Sequence, residues 1–217
     1  MIPEFKETFT VNEIFDSIEG EGIRAGELST FIRLSGCNLR CTYCDTAYAF
    51  NQGVEMTVSD ILHKVHYTNV TLTGGEPLYQ PVAPLLCALQ EHEVNVETNG
   101  SIDIRPYQKY NHVFFTVDYK CGFSGMTDHM CLANFESLRS CDVLKFVVGN
   151  QMDLEEAHCL YLAYQKYLAG VPIYVSPVFG QIEPQDIVTF MKKHKLENWR
   201  IQLQLHKFIW PPTQRGV

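Results

Sequence analysis

The sequence predicts an α/β fold: a partial, open β/α barrel of about six βα units with parallel strands. Two observations carry this. Short β-branched and apolar runs alternate with segments whose apolar residues recur at helical spacing, the pattern of a parallel sheet with helices outside. About seven strands and six helical connections follow Ser29, too few to close an eight-fold barrel.

The elements follow in order. Ser29–Leu34 reads as a strand that runs straight into a cysteine-rich loop. Thr57-Val58-Ser59-Asp60 is a Thr-x-x-Asp cap opening a helix with Ile61, Leu62 and Val65 on one face. Asn69–Thr73 is a short strand ended by Gly74-Gly75, and Pro81 to His92 a helix with Leu85, Leu86 and Leu89 inward. Val94–Thr98 is a strand ended by Asn99-Gly100, and Val113–Asp118 is the next. Tyr119 to Ala133 has little periodicity and reads as a loop. Val143–Val148 is a strand closed by Gly149-Asn150. Asp153 to Leu168 is the longest helix, with Ala157, Leu160, Tyr161, Tyr164 and Leu168 at helical spacing. Ile173–Ser176 is a strand, Pro184 opens a helix reaching about Lys195, and Ile201–Leu205 is the last strand. With no linker, repeat or low-complexity tract, residues 1–217 are expected to form one domain.

Composition narrows the function classes. The formal net charge of −8 argues against a nucleic-acid binder working through a broad basic face, and favours a small-molecule substrate or a protein partner. No apolar run is long enough for a membrane span, and Met1–Lys6 lacks the apolar core of a signal peptide, so a cytoplasmic protein is expected. The eight cysteines are then read as reduced, metal-bound or catalytic rather than disulfide-paired. Cys87, Cys121, Cys131, Cys141 and Cys159 have no tight metal spacing and are expected to be core or loop thiols.

The remaining three carry the chemistry. Cys37, Cys41 and Cys44 are spaced Cys-x3-Cys-x2-Cys on one loop. Three thiolates can hold three irons of a [4Fe–4S] cluster, whereas a structural cluster takes four cysteines; one iron is left for another ligand. The competing reading is a zinc site completed by a distant residue, but zinc sites usually use paired Cys-x2-Cys knuckles. In a parallel α/β sheet, sites form at the carboxyl ends of strands. The cysteine loop, Thr73-Gly74-Gly75-Glu76-Pro77, Glu97-Thr98-Asn99-Gly100, Asp118-Tyr119-Lys120 and Ser176-Pro177 all fall there.

The cysteine spacing resembles the radical S-adenosylmethionine (SAM) superfamily, in which SAM fills the open iron position. Gly74-Gly75-Glu76-Pro77 is similar to that superfamily's glycine-rich motif, whose backbone meets the SAM amino group, and Tyr43 to its adenine-contacting aromatic. Within the superfamily, the stretch Asn12 to Gly22, Arg33, the triplet Cys44-Asp45-Thr46 and the late Gln204-Leu205-His206-Lys207 resemble the 7-carboxy-7-deazaguanine synthase family, over nearly the whole chain from about residue 11. The resemblance implies a radical SAM fold and conversion of 6-carboxy-5,6,7,8-tetrahydropterin to 7-carboxy-7-deazaguanine and ammonia, a step toward queuosine. In that chemistry a 5′-deoxyadenosyl radical takes and later returns a hydrogen, and SAM is regenerated. It further implies one [4Fe–4S] cluster on Cys37, Cys41 and Cys44, and Mg2+ on Thr46. SAM contacts are implied for Tyr43, Asp45, Gly75, Asn99, Asp118, Tyr119, Lys120 and Ser176. Pterin contacts are implied for Ile18, Glu19, Gly20, Arg33, Thr73, Glu97, His206 and the Val217 carboxylate, with the tail 206–217 near the mouth of the site. An external electron donor such as a flavodoxin and a homodimer are the implied partners.

The sequence departs from the family pattern in two places. Glu19 stands where glutamine is often found, and a carboxylate accepts but does not donate. Asp118-Tyr119-Lys120 stands where Ser-Pro-Lys is frequent, leaving Lys120 matched. Two rivals share part of this signature: an activating enzyme for a glycyl-radical protein, and a non-catalytic iron–sulfur or zinc redox module. The Glu19-Gly20-Glu21-Gly22 opening and Asp45-Thr46 oppose the first, and the absent fourth clustered ligand the second.

Overall fold

A computed structural model describes residues 7–217; the signal-peptide expectation for Met1–Lys6 lies outside the described residues. Among the described residues nine strands form one sheet: β1 (Thr8–Ile18), β2 (Leu28–Leu34), β3 (Val54–Thr57), β4 (Asn69–Gly74), β5 (Glu93–Thr98), β6 (Val113–Lys120), β7 (Val143–Val148), β8 (Ile173–Pro177) and β9 (Trp199–Ile201). Their order is β3-β1-β2-β4-β5-β6-β7-β8-β9. From β2 through β4 to β9 every pairing is parallel, while β1 pairs antiparallel with β2 and β3 with β1. Among the described residues β3 and β9 do not pair, so the sheet is an open α/β barrel, as expected.

Among the described residues five α-helices accompany it: α1 (Val58–Leu62), α2 (Ala83–Ala88), α3 (Gln151–Tyr164), α4 (Pro184–His194) and α5 (His206–Ile209). The expected Thr57 capping box opens α1: Thr57 accepts from the Asp60 N–H and the Asp60 carboxylate accepts from Thr57. Pro184 begins α4, and Asn150 caps α3 by accepting from the Asp153 N–H. No helix among the described residues is long and apolar enough to cross a membrane.

The two-residue period of the strands sorts their side chains. Leu72, Val96, Phe115, Val117, Leu144, Phe146 and Val175 are buried in the apolar core that the helices cover. The alternate positions Arg33, Thr73, Glu97, Asp118, Lys145 and Ser176 line a cavity in the concave face. One set of strands therefore builds both the core and a polar interior.

Several expectations need correction. Strands β1 and β3 add an antiparallel edge to the expected parallel set. Tyr119 and Lys120 extend β6, and the rest of the expected loop coils into short 3-10 turns at Gly122–Ser124, Thr127–His129 and Leu132–Glu136. Helix α2 is shorter than Pro81–His92, although Leu85, Leu86 and Leu89 are all fully buried. Helix α3 ends at Tyr164, with Leu168 buried beyond it. The last strand runs Trp199–Ile201 rather than to Leu205, because the chain turns toward the β1–β2 loop. The Gln202 side chain there donates to the Gly22 carbonyl and accepts from the Gly22 N–H, and the Leu205 N–H donates to the Gly20 carbonyl.

Candidate active site

The parallel strands point their carboxyl ends at one cavity of about 620 Å³, within the range of small-molecule sites. Cys37, Cys41 and Cys44 line it on the loop that leaves β2. All three are free and half-buried. Burial pushes the three thiols above their ordinary range, while the nearby Lys120 ammonium pulls Cys41 and Cys44 down. Cys37 Sγ accepts from the Leu39 N–H at 3.4 Å and faces the Asn99 amide nitrogen at 3.7 Å. Among the described residues no three His, Cys, Asp or Glu side chains converge on a point that a single ion would fill. Three soft sulfur donors opening into one roomy cavity do fit a cluster in which each thiolate holds its own iron.

The glycine-rich loop is packed onto the cysteine loop. The Gly75 N–H donates to Leu34 O at 3.2 Å, and the Glu76 N–H to Gly36 O at 2.8 Å. A Cβ on Gly75 would stand 2.8 Å from Cys37 Cβ, so only glycine lets the two main chains approach this closely. Glu76, fully buried, anchors the loop to the end of β5: it accepts from Leu78 N–H (3.0 Å), Thr98 Oγ1 (2.8 Å) and Asn99 N–H (2.6 Å). Burial pushes its carboxyl up to about 7 against the pull of these donors.

Across the cavity lies a charge cluster. Asp118 and Lys120, two apart on β6, both face inward and pair at 2.8 Å. Burial pushes Asp118 up, but Lys120 and Lys145 together outweigh it and hold the carboxyl below its usual range. Ser176 Oγ donates to Glu21 Oε1 at 3.3 Å. Glu97 also lines the cavity; burial raises it, while Lys145 and the Thr73 hydroxyl pull it down.

Near the antiparallel edge, Arg33 Nε donates to Glu13 Oε1 at 2.7 Å, and the Tyr48 hydroxyl donates to the same oxygen at 2.9 Å. Arg33 Nη1 and Nη2 have no hydrogen-bond partner among the described residues. Asp45 accepts from Lys207 Nζ at 3.0 Å and from Thr46 Oγ1 at 3.0 Å. Although its side chain is 61% exposed, crowding at the cavity edge works against the Asp45 charge, and Lys207 and Thr46 outweigh it and leave the carboxyl lowered overall. Ile18, Gly20 and His206 line the cavity, with His206 Nδ1 packed where a Gly20 Cβ would sit. Residues 212–217, including Val217, line its mouth, and the Arg215 guanidinium lies 3.7 Å over the Tyr48 ring.

One expected contact needs correction. Tyr119 falls on the opposite phase of β6 from Asp118 and Lys120; its ring packs against Phe135 and Phe146, and its hydroxyl donates to Glu156 Oε1 at 2.9 Å. Its side chain faces away from the cavity. Glu19 lines the cavity, with its carboxylate already paired with Arg24 at 3.1 Å and accepting from the Thr71 hydroxyl. Burial pushes it up to about 7, with Glu97 adding to the rise. Cys121 is fully buried in the apolar core, as a core thiol would be. Sequence reasoning assigned no role to Glu21, Tyr48, Lys145, Lys207 and Arg215, all of which line the cavity. Lys145 left a signal: a lone charge inside the apolar run Val143–Val148.

Comparison with known proteins agrees with this geometry. Residues 31–122 match the Radical SAM superfamily. A 7-carboxy-7-deazaguanine synthase of Clostridium acetobutylicum is 44% identical, over 96% of this chain and 99% of that protein. One of Chlorobaculum tepidum is 39% identical, over 95% and 96%. The crystal structure of QueE from Escherichia coli superposes with a TM-score of 0.72 at 23% identity, covering 91% of this chain and 94% of that one, which speaks to the shared fold. With the cysteine loop, the glycine edge and the polar barrel interior on one cavity, and relatives of this identity matched end to end, the chain belongs to the 7-carboxy-7-deazaguanine synthase family of radical SAM enzymes.

Proposed function

We propose that the chain catalyses the radical SAM ring contraction of 6-carboxy-5,6,7,8-tetrahydropterin to 7-carboxy-7-deazaguanine, with release of ammonia. The observation that carries this is the single cavity onto which the cysteine loop, the Gly74-Gly75 edge and the polar row Arg33, Thr73 and Glu97 all open.

Cys37, Cys41 and Cys44 would hold a [4Fe–4S] cluster, and the superfamily match implies SAM beside it. When bound, these groups supply reversible hydrogen-atom abstraction. The Gly74-Gly75 main chain lines the cavity beside the cysteine loop and would offer a carbonyl to the SAM amino group. Lys120, Asp118, Asn99 and Ser176 offer donors and acceptors around it, and Tyr43 an apolar face. Arg33, held through Nε by Glu13, turns its remaining fork toward the pterin carboxylate. Thr73 and Glu97 face the amino-pyrimidine edge, where a buried carboxylate suits adjacent N–H donors. Ile18, Gly20 and His206 close over the ring, and the Val217 carboxylate lies at the mouth. Thr46, with Asp45 beside it, supplies hard oxygens for Mg2+, which keeps several waters and binds few protein ligands. We extend the proposal to a cytoplasmic homodimer served by an external reductant such as a flavodoxin.

The test is anaerobic reconstitution with iron and sulfide, then addition of SAM, reductant, Mg2+ and the carboxytetrahydropterin, with mass spectrometry of products. Deazaguanine product without matching loss of SAM supports the proposal. Release of 5′-deoxyadenosine with no deazaguanine would redirect the substrate question to a glycyl-radical partner.

A further inference from the structure

Lys145 carries a charge into an otherwise apolar strand, and the proposed chemistry gives it no role. The residue is 5% exposed. Removing an ammonium from water costs several kcal/mol even after relaxation, so its position needs compensation. The compensation is specific. Lys145 Nζ lies 3.0 Å from Asp118 Oδ1 and 3.1 Å from Glu21 Oε2. Asp118 stands directly across from it in the β6–β7 register, which accounts for the first contact. Glu21 arrives from the β1–β2 loop.

Each carboxylate uses its second oxygen for another group. Asp118 Oδ2 accepts from Lys120 Nζ at 2.8 Å, and Glu21 Oε1 accepts from Ser176 Oγ at 3.3 Å. One ammonium thus joins two arms, one ending at Lys120 on β6 and the other at Ser176 on β8. Without it, Glu21 and Asp118 would lose their common cation, and Glu97, which the same ammonium acidifies, would add like charge beside them. Carboxylates left unpaired in a buried site repel or take up protons, and the groups they hold lose their fixed acceptors.

We propose that Lys145 is a positioning residue for the SAM subsite: by bridging Glu21 and Asp118 it sets where the Ser176 hydroxyl oxygen, left as an acceptor, and the remaining Lys120 ammonium protons face SAM. The proposal rests on the reading that Lys120 and Ser176 contact SAM. A purely structural ion pair would lower thermal stability on removal and leave SAM affinity alone.

The experiment measures binding of radiolabelled SAM to the anaerobically reconstituted holoenzyme by equilibrium dialysis, with iron content determined on the same samples. K145M is expected to weaken SAM binding by about tenfold or more at wild-type iron content, the scale of one lost charged contact. K145R, which keeps the charge, should recover part of that loss. E21Q should weaken binding less, and should add little in the K145M background because that arm is already released. K145M binding SAM within about twofold of wild type, fully loaded with iron, overturns the proposal. If K145M fails to hold iron, the isosteric E21Q decides: unchanged SAM affinity there overturns it equally. Absence of SAM binding in the wild type would instead refute the radical SAM reading, so the two failures are distinct.

Discussion

Gly75→Ala tests the packing of the two loops that build the site. A Cβ at Gly75 would lie 2.8 Å from Cys37 Cβ and 2.9 Å from the Gly36 carbonyl carbon. Carbon atoms meet comfortably at about 3.5 Å, so the loops must part by about 0.7 Å. That movement falls on the Glu76 N–H to Gly36 O bond, 2.8 Å long, and stretches it to about the limit of hydrogen bonding. Overpacking against main chain costs about 1–3 kcal/mol. The lost bond adds about 0.5–1.5 kcal/mol. A combined loss of about 2–4 kcal/mol lowers Tm by roughly 4–16 °C in a chain of this size. Because the displaced atoms include Cys37, iron content and SAM affinity should fall with it.

Gly170→Ala is the control. Gly170 has a positive φ, +83°, which Gly75 does not, and nothing lies within 4 Å of its added Cβ. It carries only the backbone penalty of an alanine in a left-handed conformation, about 1–2 kcal/mol, with iron content unchanged. Thermal unfolding of both reconstituted variants, with iron and SAM-binding assays, makes the comparison. Wild-type iron and SAM affinity in Gly75→Ala, with a Tm loss no larger than that of Gly170→Ala, would refute the argument.

Further outcomes follow from individual contacts. Glu13→Gln weakens the 2.7 Å charged bond to Arg33 Nε and should lower kcat/KM about tenfold, mostly through KM for the pterin; an unchanged KM removes Arg33 orientation from the account. Tyr119→Phe loses the bond to Glu156, should cost about 1 kcal/mol in stability, and should leave SAM affinity at wild type, whereas a weakened SAM site would restore Tyr119 to it. Cys41→Ala should lose the cluster and Cys121→Ala keep it, as read by iron content; the reverse pattern would reassign the ligands. Glu19 ionises near 4.5 when unfolded and near 7 when folded, so rising pH deprotonates the unfolded chain first and removes up to about 3 kcal/mol of stability across that window. Glu19→Gln should therefore lose less Tm than wild type between about pH 5 and about pH 8, and parallel Tm curves would exclude the buried carboxyl as the cause.

The parallel strands were legible because each is buried on the helix side and closed by a residue that stops it. Val70 and Leu72 before Gly74, and Val94 and Val96 before Asn99-Gly100, leave little ambiguity. β1 was not legible for the complementary reason. Asn12, Glu13 and Asp16 interrupt its apolar residues because it pairs antiparallel beside the open edge, where its side chains are only partly buried. β3, four residues long, offers too little pattern. Ile201–Leu205 failed differently. Its alternation suits a strand, but Gln202 spends its amide on Gly22, 180 residues away in sequence, and no local pattern announces such a partner.

The site was legible where chemistry is concentrated in one loop and obscure where it is spread over strands. Three cysteines within eight residues identify themselves. Glu21 and Lys145 come together only when the β1–β2 loop folds across the sheet. Yet the two-residue period held more than was drawn from it. On β6 it sends Val117 and Tyr119 to the core and Asp118 and Lys120 to the cavity, which separates Tyr119 from its neighbours before any contact is known. On β7 the same period puts Leu144, Phe146 and Val148 on the helix side and Lys145 on the other. A lysine at that phase must meet anions, and β6 supplies one in register. The buried charge of an otherwise apolar strand therefore pointed to the concave face of the barrel as the site's polar half, independently of the cysteines.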